Sequence, residues 1–145
     1  MKNLLDITIK GSPIAKGRAR ITRHGAYTPK KTKDNSAYIR LVVASVLEMD
    51  EPSTMPIEIK MEFSFEPPRS ASAKKREQLL TTGYHCIKPD VDNLVKQIYD
   101  ALNGLVWADD KQICRSIEIK HYGERAYARI IVNELEDGDY GATDV

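Results

Sequence analysis

The sequence predicts an α+β domain, and three observations carry that expectation. Strand-like apolar alternation and helical apolar spacing follow one another in the order β, α, β, α, α, β, β. The last two strand patterns, Ile113–Tyr122 and Ala126–Val132, are separated only by residues 123–125. No crossover helix fits there, so this part of the sheet is expected to be antiparallel within a mainly antiparallel or mixed sheet. The 145 residues, 41% hydrophobic and 30% charged, suit one domain with its own core. That domain is expected over residues 1–133.

In chain order, Leu5, Ile7 and Ile9 alternate with Asp6, Thr8 and Lys10, a half-buried strand. The stretch GSPIAKGRARITRHGAYTPKKT has the glycines, prolines and charges of a long loop or irregular hairpin. From Thr32 or Asp34, either of which can cap, the period turns helical to about Leu47, with Ala37, Tyr38, Leu41, Val42, Ser45 and Val46 able to share a face. Pro52 and Pro56 bar its continuation. Ile57, Ile59, Met61, Phe63 and Phe65 give the cleanest alternation in the chain, ended by Pro67-Pro68. A short capped helix follows from Ser72 to near Gly83. Leu94, Ile98, Ala101, Leu102 and Leu105 space a further helix that stops at Asn103-Gly104. The two final strands read as a hairpin turning at Gly123-Glu124. Residues 134–145 hold five acids and no base, a composition expected to fray.

The formal net charge of +1 hides an asymmetry. Residues 1–40 carry ten Lys/Arg against two acids, and the rest carries twelve against nineteen. From Lys10 to Lys33 there are eight basic residues and no acid. Such a segment suits a polyanion, although a solvated loop has the same composition. No apolar run approaches a membrane span. MKNLLDITIK lacks a signal-peptide core, so a cytoplasmic setting is expected, with Cys86 and Cys114 as reduced thiols. His24, His85 and His121 are isolated and make no zinc pattern.

KPDVDNLVKQIYDALNGLVWADD holds the chemistry. Asp90 and Asp92 stand at the start of a helix, where capping and the helix dipole explain one aspartate. Two at i,i+2 spacing on extended backbone point the same way. Asp109 and Asp110 stand past the helix C-terminus, where a carboxylate opposes the dipole. The helix is about 18 Å long, and an extended return through Leu105, Val106 and Trp107 covers about 20 Å. The lengths therefore permit Asp109 or Asp110 to come back beside Asp90 and Asp92. Three gathered carboxylates repel unless a cation sits among them, and hard divalent cations such as Mg²⁺ take oxygen ligands. A surface turn with solvated charges is the plainer reading of the late pair. Lys96 is four residues from both Asp92 and Asp100. It serves either an ion-pair ladder or charge stabilisation at a phosphate.

Asp90, Asp92, Asn93, Lys96, then Asp100-Ala101-Leu102-Asn103, then Asp109-Asp110 with Gln112 resemble the signature of the RusA family of Holliday-junction resolvases, a group common in bacterial prophages and phages. Gly11-Ser12-Pro13, Lys16-Gly17-Arg18-Ala19-Arg20 and Tyr27-Thr28-Pro29 are similar to its N-terminal part. The resemblance spans about residues 5 to 132 and is most specific at the aspartates. It implies a homodimeric, Mg²⁺-dependent endonuclease, with Mn²⁺ an expected substitute and no organic cofactor, that cuts four-way DNA junctions. It also implies that Asp90, Asp92 and Asp110 bind the metal and that Lys96 is essential to catalysis. Asp109 and Asn93 are then supports behind those ligands. Lys16, Arg18, Arg20, Arg23, Lys30, Lys31, Lys33 and Lys88 are then the contacts to DNA phosphates. A two-fold dimer matches the two equivalent scissile phosphates of a junction. Two rival expectations are a branched-DNA nuclease of relaxed specificity and a DNA-binding protein whose aspartates only cap and turn.

Overall fold

Apolar alternation becomes strand wherever it was read. In the computed structural model, which describes residues 1–139, β1 (Lys2–Lys10) buries Leu5 and Ile9. Residues 11–29 hold a small exposed hairpin of β2 (Arg20–Thr22) and β3 (Gly25–Tyr27). Then come α1 (Lys30–Val46), β4 (Ile57–Phe65), α2 (Ala73–Thr82), α3 (Val91–Leu102), a 3-10 turn at Asp110–Gln112, β5 (Ile113–Tyr122) and β6 (Tyr127–Glu134). The fold is α+β with a mixed four-stranded sheet in the order β1-β6-β4-β5.

The sheet order corrects the expected hairpin. β5 and β6 do not pair. β4 lies between them, antiparallel to β6 and parallel to β5. Ile57, Ile59, Met61 and Phe63 are all 2% exposed or less, and a strand that apolar gains most from neighbours on both sides. Residues 123–126 need only span two strand spacings, about 10 Å. Local alternation marks the strands but not which strand is the neighbour, and on β5 not the core face either, since Ile117 and Ile119 are exposed beside Lys60 and Glu62.

α1 also differs from its sequence reading. It begins at Lys30 with Pro29 at the N-cap position and no side-chain cap, a position proline suits because it has no N–H to leave unbonded. Its buried residues are Thr32, Ile39 and Val43, whereas Tyr38, Leu41 and Val46 are exposed. Thr32 is buried because its Oγ1 accepts from the Gly17 N–H at 2.9 Å, so a polar residue opens the apolar stripe and misleads the periodicity. Ser72 caps α2 by accepting from the Lys75 N–H, as expected.

Ile39 and Val43 of α1 join Leu94, Ile98, Ala101 and Leu102 of α3 in one core with β4 and β6. The opposite sheet face is mostly polar, with Ile117, Ile119 and Ile131 among its charged residues, and holds one buried acid. Burial works to raise the Glu58 pKa, but hydrogen bonds from Asn133 and Arg115 outweigh it and hold the carboxyl low. Residues 134–139, expected to fray, keep contacts. The Leu135 N–H donates to the Pro56 carbonyl, and Asp139 meets the N-terminal amine at 3.4 Å. The remainder of that acidic tail lies outside the described residues. No helix among the described residues is long and apolar enough to cross a membrane.

Candidate active site

The loop Tyr84–Asp90 leads into the first acidic pair, and its anchor is His85. This residue is 6% exposed, so neither of the roles its sequence position allows, an exposed loop histidine or a DNA contact, describes it. Its ring stacks on Phe65 at 4.2 Å and tilts against Tyr122 at 4.8 Å. Burial first, and the Lys120 charge second, push its pKa below 6.5. The unfolded chain therefore takes up a proton near pH 6.5 that the folded chain resists, and stability falls as pH drops below that value. His85→Phe keeps the stack and is expected to flatten this part of the stability–pH curve in urea unfolding between pH 7 and 5. An unchanged slope would remove His85 as its source. Lys120 holds the same loop by donating to the Ile87 and Pro89 carbonyls at 2.6 and 2.7 Å.

Asp90 occupies the N-cap position of α3, yet its side chain makes no capping bond. The cap explanation therefore does not consume this carboxylate. Asp92 follows in the first turn, with its side chain 65% exposed and Lys96 at 3.7 Å. The expected ladder stops there, because Asp100 pairs with Lys16 at 2.7 Å instead. Lys16 also donates its backbone N–H to the Asn93 carbonyl at 3.0 Å. The basic segment is thus pinned along α3, and the Lys16 ammonium is already committed to a carboxylate. Gly17 is required beside it: a Cβ there would meet Thr32 Oγ1 at 2.9 Å. Arg18, Arg20, Arg23, Lys30, Lys31, Lys33 and Lys88 are all exposed.

The late pair sits elsewhere. The chain does not return along α3 in extended form. Gly104, with φ of 75°, turns it sharply, and its N–H donates to the Trp107 carbonyl at 2.7 Å. Trp107 is fully buried, packs edge-on against Tyr99 at 6.1 Å, and donates its Nε1–H to Asp110 Oδ1 at 2.8 Å. Tyr99 in turn reaches Ser116 of β5 at 2.9 Å. So β5 runs antiparallel to α3: its start lies by Tyr99 and Asp110, and Lys120 near its end lies by Pro89. From Asp90 to Tyr99 the helix climbs about 14 Å at 1.5 Å per residue. Asp110 is held at the far end from Asp90 and Asp92. Among the described residues, no three His, Cys, Asp or Glu side chains stand close enough together to hold one ion. One chain alone does not fit a three-carboxylate metal site.

Asp109 is a cap after all, of the element that follows. Its side chain accepts from the Lys111 N–H at 2.9 Å, and Gln112 accepts from its N–H in a capping box. Gln112 also donates to the Ser53 and Met55 carbonyls. Sequence reasoning missed Arg40, which donates to the Ala101 and Asn103 carbonyls and so closes the C-terminus of α3. No local signal marks it, since its partners are 61 and 63 residues away. Cys86 and Cys114 are unpaired and exposed.

These features define a two-layer α+β domain with an uncapped acidic helix start beside a pinned basic segment. The family described as Endodeoxyribonuclease RusA matches residues 10–133, and the chain belongs to that family. It is also similar to the uncharacterized protein YqaN of Bacillus subtilis (strain 168), 30% identical over 137 residues that cover 90% of this chain and 96% of that protein.

Proposed function

We propose that this protein is a metal-dependent, structure-specific endodeoxyribonuclease that resolves four-way DNA junctions by paired symmetric cuts in recombination and repair. It acts as a homodimer, each site taking Asp90 and Asp92 from one protomer and Asp110 from the other. The observation that carries the reading is the placement of the two acidic groups at opposite ends of α3, in a chain of an endodeoxyribonuclease family.

The open part of the β5 edge supports this assembly. The strand's outer side is bridged by Tyr84 at His121, with the His85 N–H donating to the Lys120 carbonyl, but no strand pairs along the rest of it among the described residues, and Ile117 and Ile119 are 51% and 44% exposed. Two β5 strands paired antiparallel about a two-fold axis near Ser116, through the open edge before residue 120, direct residue 112 of one towards residue 120 of the other, where the 83–85 segment already closes the edge. Paired strands lie about 4.8 Å apart. The start of one β5, with Asp110, is then brought to the Lys120 end of the other, where Lys120 holds the loop leading into Asp90. An isologous interface repeats this twice and yields two equivalent sites.

Asp90, Asp92 and the partner's Asp110 are the groups that would hold Mg²⁺, or Mn²⁺ in its place, and the ion when bound supplies Lewis-acid polarisation of a phosphate and an activated water. Lys96, one turn beyond Asp92, offers an ammonium to the charge that develops on the phosphate oxygens. Arg18, Arg20, Arg23, Lys30, Lys31, Lys33 and Lys88 contact the DNA backbone, and junction affinity falls steeply with salt. Lys16 contributes by tethering the segment through Asp100. Asn93 supports it through its carbonyl, and Asp109 shapes the turn that presents Asp110.

The purified protein is tested against a synthetic four-way junction, a flap, a fork and a linear duplex, with Mg²⁺, Mn²⁺ or EDTA. The expected result is metal-dependent paired nicks on the junction alone. Equal cutting of flaps and forks would point to a branched-DNA nuclease. Salt-sensitive binding without cleavage would point to a non-catalytic binder.

A further inference from the structure

The middle of α1 borders a broad cleft. Tyr38, expected in the core, is instead 51% exposed. It lines a cleft of about 1000 Å³ bounded by residues 10–20, the start of α1, Phe65 and Pro89. Lys10, Arg18, Arg20 and Lys31 line it, and no acid does. Asn35 lies next to Tyr38 in the lining, and its Oδ1 already accepts from Gln97 Nε2 at 3.1 Å. The remaining hydrogen-bonding capacity of that side chain is its two amide N–H donors and the second lone pair of Oδ1. Gln97 is itself fully buried and also donates to the Thr32 carbonyl at 2.8 Å, so Asn35 is held rigidly. One end of the cleft, at Pro89, adjoins Asp90 directly.

A π face, an amide donor and a ring of cations are the groups that recognise a nucleobase with its flanking phosphates. A paired base inside a duplex cannot reach such a recess, because stacking and pairing hold it in the helix. An unstacked base at a branch point can. We propose that this cleft is a nucleobase subsite, in which Tyr38 stacks one unpaired branch-point nucleotide of the strand entering the Asp90–Asp92 site, and so favours branched over linear DNA. This rests on the junction-nuclease reading for its substrate, but it is tested by binding rather than by cutting.

A junction carrying 2-aminopurine at single positions around the branch is titrated with the full-length protein in EDTA, alongside a linear duplex. Wild type is expected to change the emission at one branch-adjacent position and to bind the junction more tightly than the duplex. Tyr38→Ala is expected to lose that emission change and to bind the junction about tenfold more weakly, with duplex affinity unchanged. Tyr38→Phe keeps the π face and is expected to behave as wild type. Tyr38→Ala retaining both the signal and the junction preference would overturn the proposal, as would equal weakening on duplex and junction. A wild-type protein that gives the signal but never cleaves would refute the nuclease reading while leaving the subsite standing. Cleavage of the junction without any position-specific signal would do the reverse.

Discussion

Asp92→Asn is expected to slow junction cleavage about a thousandfold, equivalent to ~4 kcal/mol on the barrier, while junction affinity in EDTA stays within about twofold. The structure explains why the loss should be confined to chemistry. The Asp92 side chain is mostly exposed, and its recorded partner is Lys96 at 3.7 Å, an exposed helix pair worth only a few tenths of a kcal/mol to folding. Asp90→Asn should behave alike, because the native carboxylate makes no capping bond that the fold could miss. Asp110→Asn keeps an oxygen that can accept from Trp107 Nε1. Initial cleavage rates and gel-shift titrations of the three variants check this together. Cleavage within tenfold of wild type in any of them would remove that aspartate from the site.

Trp107→Ala is expected to cost about 4 kcal/mol of stability, within the usual range for deleting a large buried aromatic. Trp107 is fully buried, forms bridges with Ser53 and Asn103, and lies against Tyr99. Its loss empties the turn that fixes Asp110. Domains of this kind are stable by only about 5–15 kcal/mol, so the variant should unfold at markedly lower urea. Trp107→Phe retains most of the bulk and should cost much less, while still removing the hydrogen bond to Asp110. A cost below about 1 kcal/mol for the alanine variant, set against that expectation, would show that the turn is held by something other than Trp107.

Legibility of the chain followed the range of the forces involved. Strand β4 and helix α3 were readable because burial repeats at two residues in one and at helical spacing in the other. Ser72 and the Gly83 stop of α2 were readable because capping is local. The pairing of β5 was not, because a strand's neighbour is decided by the whole sheet, and the more apolar β4 displaced β6. The stripe on α1 was misread because Thr32 is buried by a contact to Gly17, fifteen residues away, while Tyr38 faces a cleft. At the site, the spacing identified which aspartates to watch but not where the second pair goes. An extended return was long enough to bring Asp110 back. Gly104 and Trp107 instead fold those residues into a tight turn, and Asp100 turns to Lys16 rather than Lys96. The residues survive as the proposed ligands, but the chain that completes the set changes.

The division of each site between two protomers is tested most directly by mixing variants. Asp92→Asn and Asp110→Asn proteins, each inactive alone, are unfolded together, refolded and assayed on the four-way junction with Mg²⁺. A heterodimer then has one site with both substitutions and one with neither. The account predicts that nicking returns, to about a quarter of the wild-type site concentration for random pairing of protomers, and that products are singly nicked junctions rather than resolved duplexes. Activity that stays at the level of the separate variants, in a mixture shown to contain heterodimers, would place Asp92 and Asp110 in the same chain's site and contradict it.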